Sequence, residues 1–341
     1  MVMVEGRSPP NGGNFNVVDF GAVGDGVTDD SEVSGKIIAP DRENFGSGTK
    51  FWLTFTSVNG LILSGDGDVD GYGSSWWGSC NKESDCFGRP PVLTFNSCNN
   101  LQVSGVSITN APRNHISITN CATVTISNIK IITPDTTPNT DGIDIAQSTR
   151  IQIQHSDIQT GDDCIAINTG CSYINVTGVN CGPGHGISIG SLGENQSEGT
   201  VEEVHVVGCT FTGTQNAARI KTWQGGSGYA RKISFEDITL HESMNPIFID
   251  QYYCEGRGPC KNQTSAVAIS DISFIGFTGT SATEAAVQLD CSESVGCTGI
   301  LLDRINITAS PNKKTEIYST CINAHGTSSD SNLPAVPCLL P

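Results

Sequence analysis

The chain has 341 residues, and its 18 Lys+Arg against 35 Asp+Glu leave a formal charge of −17. That acidity excludes nucleic acid and anionic membrane surfaces as natural partners and obliges an anionic substrate to find a locally basic pocket. With 37% hydrophobic residues there is material for a large core, while 16% charged residues and 39 glycines fit neither a coiled coil nor a disordered chain.

Residues 1–32 are read as a separate N-terminal segment without the apolar stretch of a signal peptide. Within it, Gly21-Ala-Val-Gly24-Asp-Gly26 is followed by Asp29 and Asp30, whose charge would repel phosphate, so a plain loop is expected. From 33 to 341 the chain changes to short β-branched runs separated by Gly, Asn, Asp and Pro, which predicts one all-β domain. Asp66-Gly-Asp68-Val-Asp70-Gly71 imitates the start of a calcium loop, but its twelfth position is Trp77 and no helices flank it; a turn between coils is expected and no metal. No stretch approaches the roughly 18 apolar residues that span a bilayer.

Further along, one pattern recurs: Ile116-Ser-Ile118, Ile143-Asp-Ile145, Ile165-Ala-Ile167, Ile187-Ser-Ile189, Ile220-Lys-Thr222 and Ile247-Phe-Ile249. Their first isoleucines are 27, 22, 22, 33 and 27 residues apart, a repeat too short for a propeller blade of about 40 residues and suited to a parallel β-helix. In such a solenoid, residues one repeat apart become neighbours about 4.8 Å apart.

Fourteen cysteines and four Asn-x-Ser/Thr sequons, at Asn175, Asn195, Asn262 and Asn306, indicate the oxidising secretory route and a secreted glycoprotein. No Cys-x-x-Cys pair is present to suggest zinc. Cys164 and Cys181 are expected to pair because they fall in adjacent coils; Cys254–Cys260, Cys291–Cys297 and Cys321–Cys338 are the other local candidates. Cys98, Cys121, Cys171 and Cys209 read as small apolar fillers stacked in coils.

The polar residues ahead of the isoleucine pairs carry the chemistry. Asp141, Asp163 and His185 are each 22 residues apart, so two carboxylates and an imidazole stack in consecutive coils with Asp162 beside them. Arg219 and Lys221 flank inward-pointing Ile220 and therefore face outward. Crowded carboxylates let one stay protonated beside an ionised partner, the requirement of glycoside hydrolysis. An inverting reaction needs about 6.5 to 9.5 Å between acid and base to admit a water. The two cations alongside suit a carboxylated sugar.

At these residues the chain resembles the polygalacturonases, glycoside hydrolase family 28, and the plant branch in particular: Asn139-Thr140-Asp141, Gly161-Asp162-Asp163, Gly184-His185-Gly186 and Arg219-Ile220-Lys221 stand in the family's order. The similarity runs from about Val58 to Cys338. It implies a right-handed parallel β-helix, without cofactor, acting as a monomer in the cell wall on the α-1,4 galacturonic acid backbone of pectin with inversion. It further implies Asp162 as general acid, Asp141 and Asp163 as activators of water, and His185 as support for the acid. Asn139, Arg219 and Lys221 would bind substrate, and Tyr253 would stack on it. Strand parity alone would turn Asp141 and Asp163 inward with the isoleucines; their outward placement follows from the resemblance, with the preceding turn rotating the chain. A rhamnogalacturonan or xylogalacturonan hydrolase of the same fold, and a non-catalytic truncated pectin-binding form, are the competing readings. Phe15 to Asp30 matches the family's start, but the helix-bearing stretch that follows it in relatives is missing before Val33, which would leave the floor of the first coil uncovered.

Overall fold

The computed structural model describes residues 32–46, 50–78, 88–254, 260, 263–311 and 316–341. The N-terminal segment up to residue 31, with its glycine string and family start, and the sequon at Asn262 lie outside the described residues.

β-Branched residues at every second position suit a pleat with one buried face. In the strand Ile143–Ala146, Ile143 and Ile145 are fully buried while Asp144 and Ala146 are not. A chain of such strands buries its apolar face only against copies above and below, and this is the observed architecture. Ile116, Ile143, Ile165 and Ile187 stand in parallel register on successive coils. Each coil places one strand in a ten-stranded parallel sheet running from Leu53–Thr56 to Tyr318–Ile322, and its remaining strands in a nineteen-stranded sheet that wraps the other sides. The core between them is a stack of Ile, Val, Leu and Phe. Among the described residues helix is confined to Ser74–Trp77 and a 3-10 turn at Glu194–Gln196, and none is long and apolar enough to cross a membrane.

The wrapping sheet bends at two corners that repeat in every coil from Asn100 to Arg304. Asn100, Thr123, Arg150, Tyr173, Glu203, Lys232, Asp271 and Gly299 occupy the first in left-handed conformation; Gly105, Asn128, His155, Gly178, Gly208, Asp237, Gly276 and Arg304 occupy the second, always five residues later. Left-handed backbone costs a side-chain-bearing residue roughly 1 kcal/mol, so its recurrence marks a bend the stacking requires.

Two expectations are corrected. Ala218, not Ile220, pairs with Ile187, and Ile220 pairs with Ile189, so the repeating unit is Ala218-Arg-Ile220 and the intervals around it are 31 and 29 residues (187 to 218, 218 to 247) instead of 33 and 27. The frame slipped because alanine carries no β-branched signal. Asp68–Asp70 is a strand, with only Asp66 and Gly67 left to turn. Its carboxylates are held by Lys36, whose Nζ is 3.2 Å from Asp68 and 2.8 Å from Asp70.

The four expected disulfides are present, Cys164–Cys181, Cys254–Cys260, Cys291–Cys297 and Cys321–Cys338, and the four filler cysteines are free and buried. Cover is thinner at the first coil: Leu53, Phe55 and Leu63 are only partly buried, whereas their register partners Leu93, Phe95 and Val103 are fully buried.

Ile165 is wholly buried between Ile143 and Ile187. Ile165→Ala should lower unfolding free energy by about 2–5 kcal/mol, measured by equilibrium denaturation, because neither neighbouring coil can move in to fill the hole. A loss under about 1 kcal/mol would show that the stack collapses around gaps.

Candidate active site

Outward positions of the ten-stranded sheet form two rows that cross every coil. One reads Thr94, Ser117, Asp144, Ala166, Ser188, Arg219, Phe248 and Gln288. The other continues from Lys221 to Asp250 and Asp290. Asp141, Asp163 and His185 lie in the turns that feed these strands, where Gly142 N donates to Asp163 O at 2.8 Å and Cys164 N to Gly186 O at 2.8 Å, so the turns stack as the strands do. Beside His185, Gly186 adopts φ +89° and faces the Asn216 carbonyl so closely that no side chain could stand there.

Asp163 is wholly buried. Ser188 Oγ donates to its Oδ1 at 2.8 Å, Arg219 Nη2 to the same oxygen at 2.7 Å, and Lys221 Nζ to Oδ2 at 2.8 Å. Arg219 Nε also donates to Ser188 Oγ at 2.9 Å. Burial alone would raise this carboxyl, but the Lys221 and Arg219 charges outweigh it and bring it down to about 2. Asp162 keeps 18% of its side chain open to the cleft, with His185 Nδ1 2.9 Å from its Oδ1 and Asn139 Nδ2 donating to Oδ2 at 3.4 Å.

Asp141 behaves oppositely. Burial, then the charges of Asp144, Asp162 and Asp163, raise it well above the carboxylate range, and Lys221 offsets only part of this. Its backbone is fixed from behind by His115, whose N and Nδ1 both donate to Asp141 O, at 2.8 and 2.9 Å, and whose Nε2 accepts from Thr133 Oγ1 at 2.8 Å. Burial lowers His115 to about 4, which keeps it in the neutral form that this pairing requires.

A depression of about 190 Å³ joins Asn139, Asp141, Asp162, Asp163, Lys221 and Tyr253. All six were expected from sequence; the other two, His185 and Arg219, stand one hydrogen bond behind, on Asp162 and Asp163. Lys221 also lies 5.3 Å over the Tyr253 ring, which is edge-on to Trp223. Sequence reasoning missed Asp144, Arg113 and Ser188. Asp144 and Ser188 each sit between two inward isoleucines, so strand parity alone could have found them. Burial raises Asp144 to about 7 despite Arg113, and its Oδ1 is buried without a hydrogen-bond partner among the described residues.

An oxygen of Asp162, one of Asp163 and a ring nitrogen of His185 lie within 4.8 Å of one another. That is close enough to ligate a cation, but Arg219 and Lys221 already supply the positive charge at Asp163.

The sequence profile of glycosyl hydrolases family 28 matches residues 24–330. A probable polygalacturonase of Arabidopsis thaliana is 43% identical over 95% of this chain and 80% of its own, and a polygalacturonase of Persea americana 39% identical over 91% and 77%. Among solved structures, endo-xylogalacturonan hydrolase from Aspergillus tubingensis superposes with a TM-score of 0.73 at 26% identity, covering 87% of this chain and 85% of its own. A polygalacturonase from Erwinia carotovora gives 0.68 at 25%, covering 83% and 81%.

The raised carboxyls make a stability prediction. An unfolded chain ionises Asp144 near pH 4 while the fold retains its proton up to about 7, so unfolding free energy falls as pH rises across that window. Asp163 contributes with the opposite sign, its stabilisation being complete above about pH 4 and lost only as pH falls towards 2. Asp144→Asn should therefore raise the melting temperature at pH 7 by a few degrees and leave it nearly unchanged at pH 4, read by thermal unfolding across pH. An unchanged slope between pH 4 and 7 would contradict the assignment.

Proposed function

Because the chain belongs to the glycosyl hydrolases of family 28, we propose that it is a polygalacturonase that cleaves the galacturonic acid backbone of pectin at the Asp162–Asp163 cleft. The carrying observation is a solvent-facing carboxyl bonded to an imidazole, set beside a second carboxylate that two buried cations hold ionised.

In this reading Asp162 gives its proton to the departing glycosidic oxygen, with His185 and Asn139 fixing its orientation. Water attacks the anomeric carbon from the opposite face and passes its proton to the carboxylate pair Asp141 and Asp163, of which Asp163 carries the standing charge. Asp141 lies one coil from Asp163 and completes the polar lining where that water binds. Arg219 and Lys221 retain N–H groups beyond those spent on Asp163, and these meet the sugar carboxylate. Tyr253, with Lys221 above it, offers a ring face to the pyranose. Every group comes from one chain, so a monomer suffices. Four disulfides support the secreted, cell-wall location, where such bonds persist.

Reducing-sugar release from polygalacturonic acid tests the activity. Asp162→Asn should cut turnover at least about 100-fold while oligogalacturonate binding and melting temperature stay near wild type. Asp163→Asn should lose turnover and also about 3–5 kcal/mol of stability, since Arg219 and Lys221 would be left buried without their counter-charge. An Asp162→Asn variant retaining more than about a tenth of wild-type turnover would remove Asp162 from the acid role.

A further inference from the structure

The three turns that carry site residues differ in length. Residues 160–164 and 182–186, five each, lead from the wrapping sheet into the strands Ile165–Ile167 and Ile187–Leu192. The arc that carries Asn139 and Asp141 runs from 133 to 142, ten residues, between Lys130–Ile132 and Ile143–Ala146. An arc twice as long has more conformations to lose before its carboxyl is fixed. Its middle is tied locally: Thr137 Oγ1 donates to Pro134 O at 2.6 Å, Thr140 Oγ1 to Thr137 O at 3.0 Å, and Arg89 Nη2 to Pro138 O at 2.7 Å.

Its two ends meet on one side chain of the preceding coil. His115 accepts from Thr133 Oγ1 on Nε2 at 2.8 Å and donates from Nδ1 to Asp141 O at 2.9 Å. A single imidazole therefore joins the residue that opens the arc to the carboxyl-bearing residue near its close. Thr133 is itself fixed, its N donating to Gln159 O at 2.9 Å on the next coil. Register sets this histidine apart. The position just ahead of the inward strand residue is Gly142, Cys164, Gly186 and Ala217 in the four coils that follow, all small. His115 is wholly buried there, which costs free energy unless both ring nitrogens are bonded. An apolar side chain would fill the space without that requirement; the imidazole adds a rigid bridge with two polar ends.

We infer that His115 is a positioning residue for the reaction, clamping the ends of the arc 133–141 so that Asn139 and Asp141 stand against the Asp162–Asp163 turn. The inference rests on the proposed role of Asp141 in activating water.

The test measures kcat and KM on polygalacturonate, with melting temperature, for wild type, His115→Phe, His115→Asn, Thr133→Val and Asp141→Asn. His115→Phe keeps a ring but no donor and should lower kcat at least about tenfold with KM nearly unchanged, since a small misplacement of a reacting group is costly in rate. His115→Asn retains an N–H near the Nδ1 position and should recover most of that loss, which a merely structural histidine would not produce. Thr133→Val removes only the far anchor and should lower kcat several-fold; if His115→Phe fails to fold, this variant decides. An unchanged kcat in whichever of these two folds, or an Asn variant as slow as the Phe variant, overturns the clamp while an inactive Asp141→Asn leaves the role of Asp141 standing. Substantial turnover by Asp141→Asn overturns that role and the inference with it, and an inactive wild type overturns the pectinase reading as well.

Discussion

Each coil has only its two neighbours to hydrogen-bond and pack against, and this constraint decides where everything else can be. Inward positions must be apolar in every turn of the chain, as Ile143, Ile165 and Ile187 are, because a polar side chain there would have no partner on either side. The same register draws residues that are 56 and 58 positions apart, Asp163 with Arg219 and Asp163 with Lys221, into hydrogen-bond contact. A turn on one coil and a single strand two coils later hold a carboxylate and two cations together out of water by stacking alone.

Within that frame the cleft sorts four carboxyls by their company. Asp163 has two cations and a hydroxyl, Asp162 an imidazole and an amide, and Asp141 and Asp144 chiefly burial and one another. Similar groups a few ångströms apart are thereby driven in opposite directions, which is how one site can hold a proton and a negative charge together. Asp163 is costly to bury and is offset only while both cations remain, so function and stability are linked at that residue and not at Asp162.

Much of this was legible in the sequence, and the failures have physical causes. Isoleucine pairs and the 22-residue spacing of Asp141, Asp163 and His185 revealed the stacking axis, because identical spacing and parallel register are the same information, whereas Asn139 and Tyr253 were offered only by the family resemblance. The unit at Ala218 was misframed since packing accepts alanine where the larger side chains nearby fill space. Asp144 and Ser188 were passed over as the polar half of an alternating strand, although on this sheet the outward side is the cleft. Asp68 and Asp70 resemble turn residues until Lys36, a coil earlier, is known to neutralise them.

The two left-handed corners, five residues apart in every coil from Asn100 to Arg304, have a consequence for how such a chain can diversify. Successive first corners are separated by as few as 23 residues (100 to 123) and as many as 39 (232 to 271), yet the corner-to-corner segment never changes. All variation in coil length is therefore taken up on the remaining arc, the one that carries the carboxylates and the walls around them. Two sides of the solenoid act as an invariant spine, and insertions reshape the third. New substrate preferences can arise there by lengthening a turn, with no strand of the spine obliged to move.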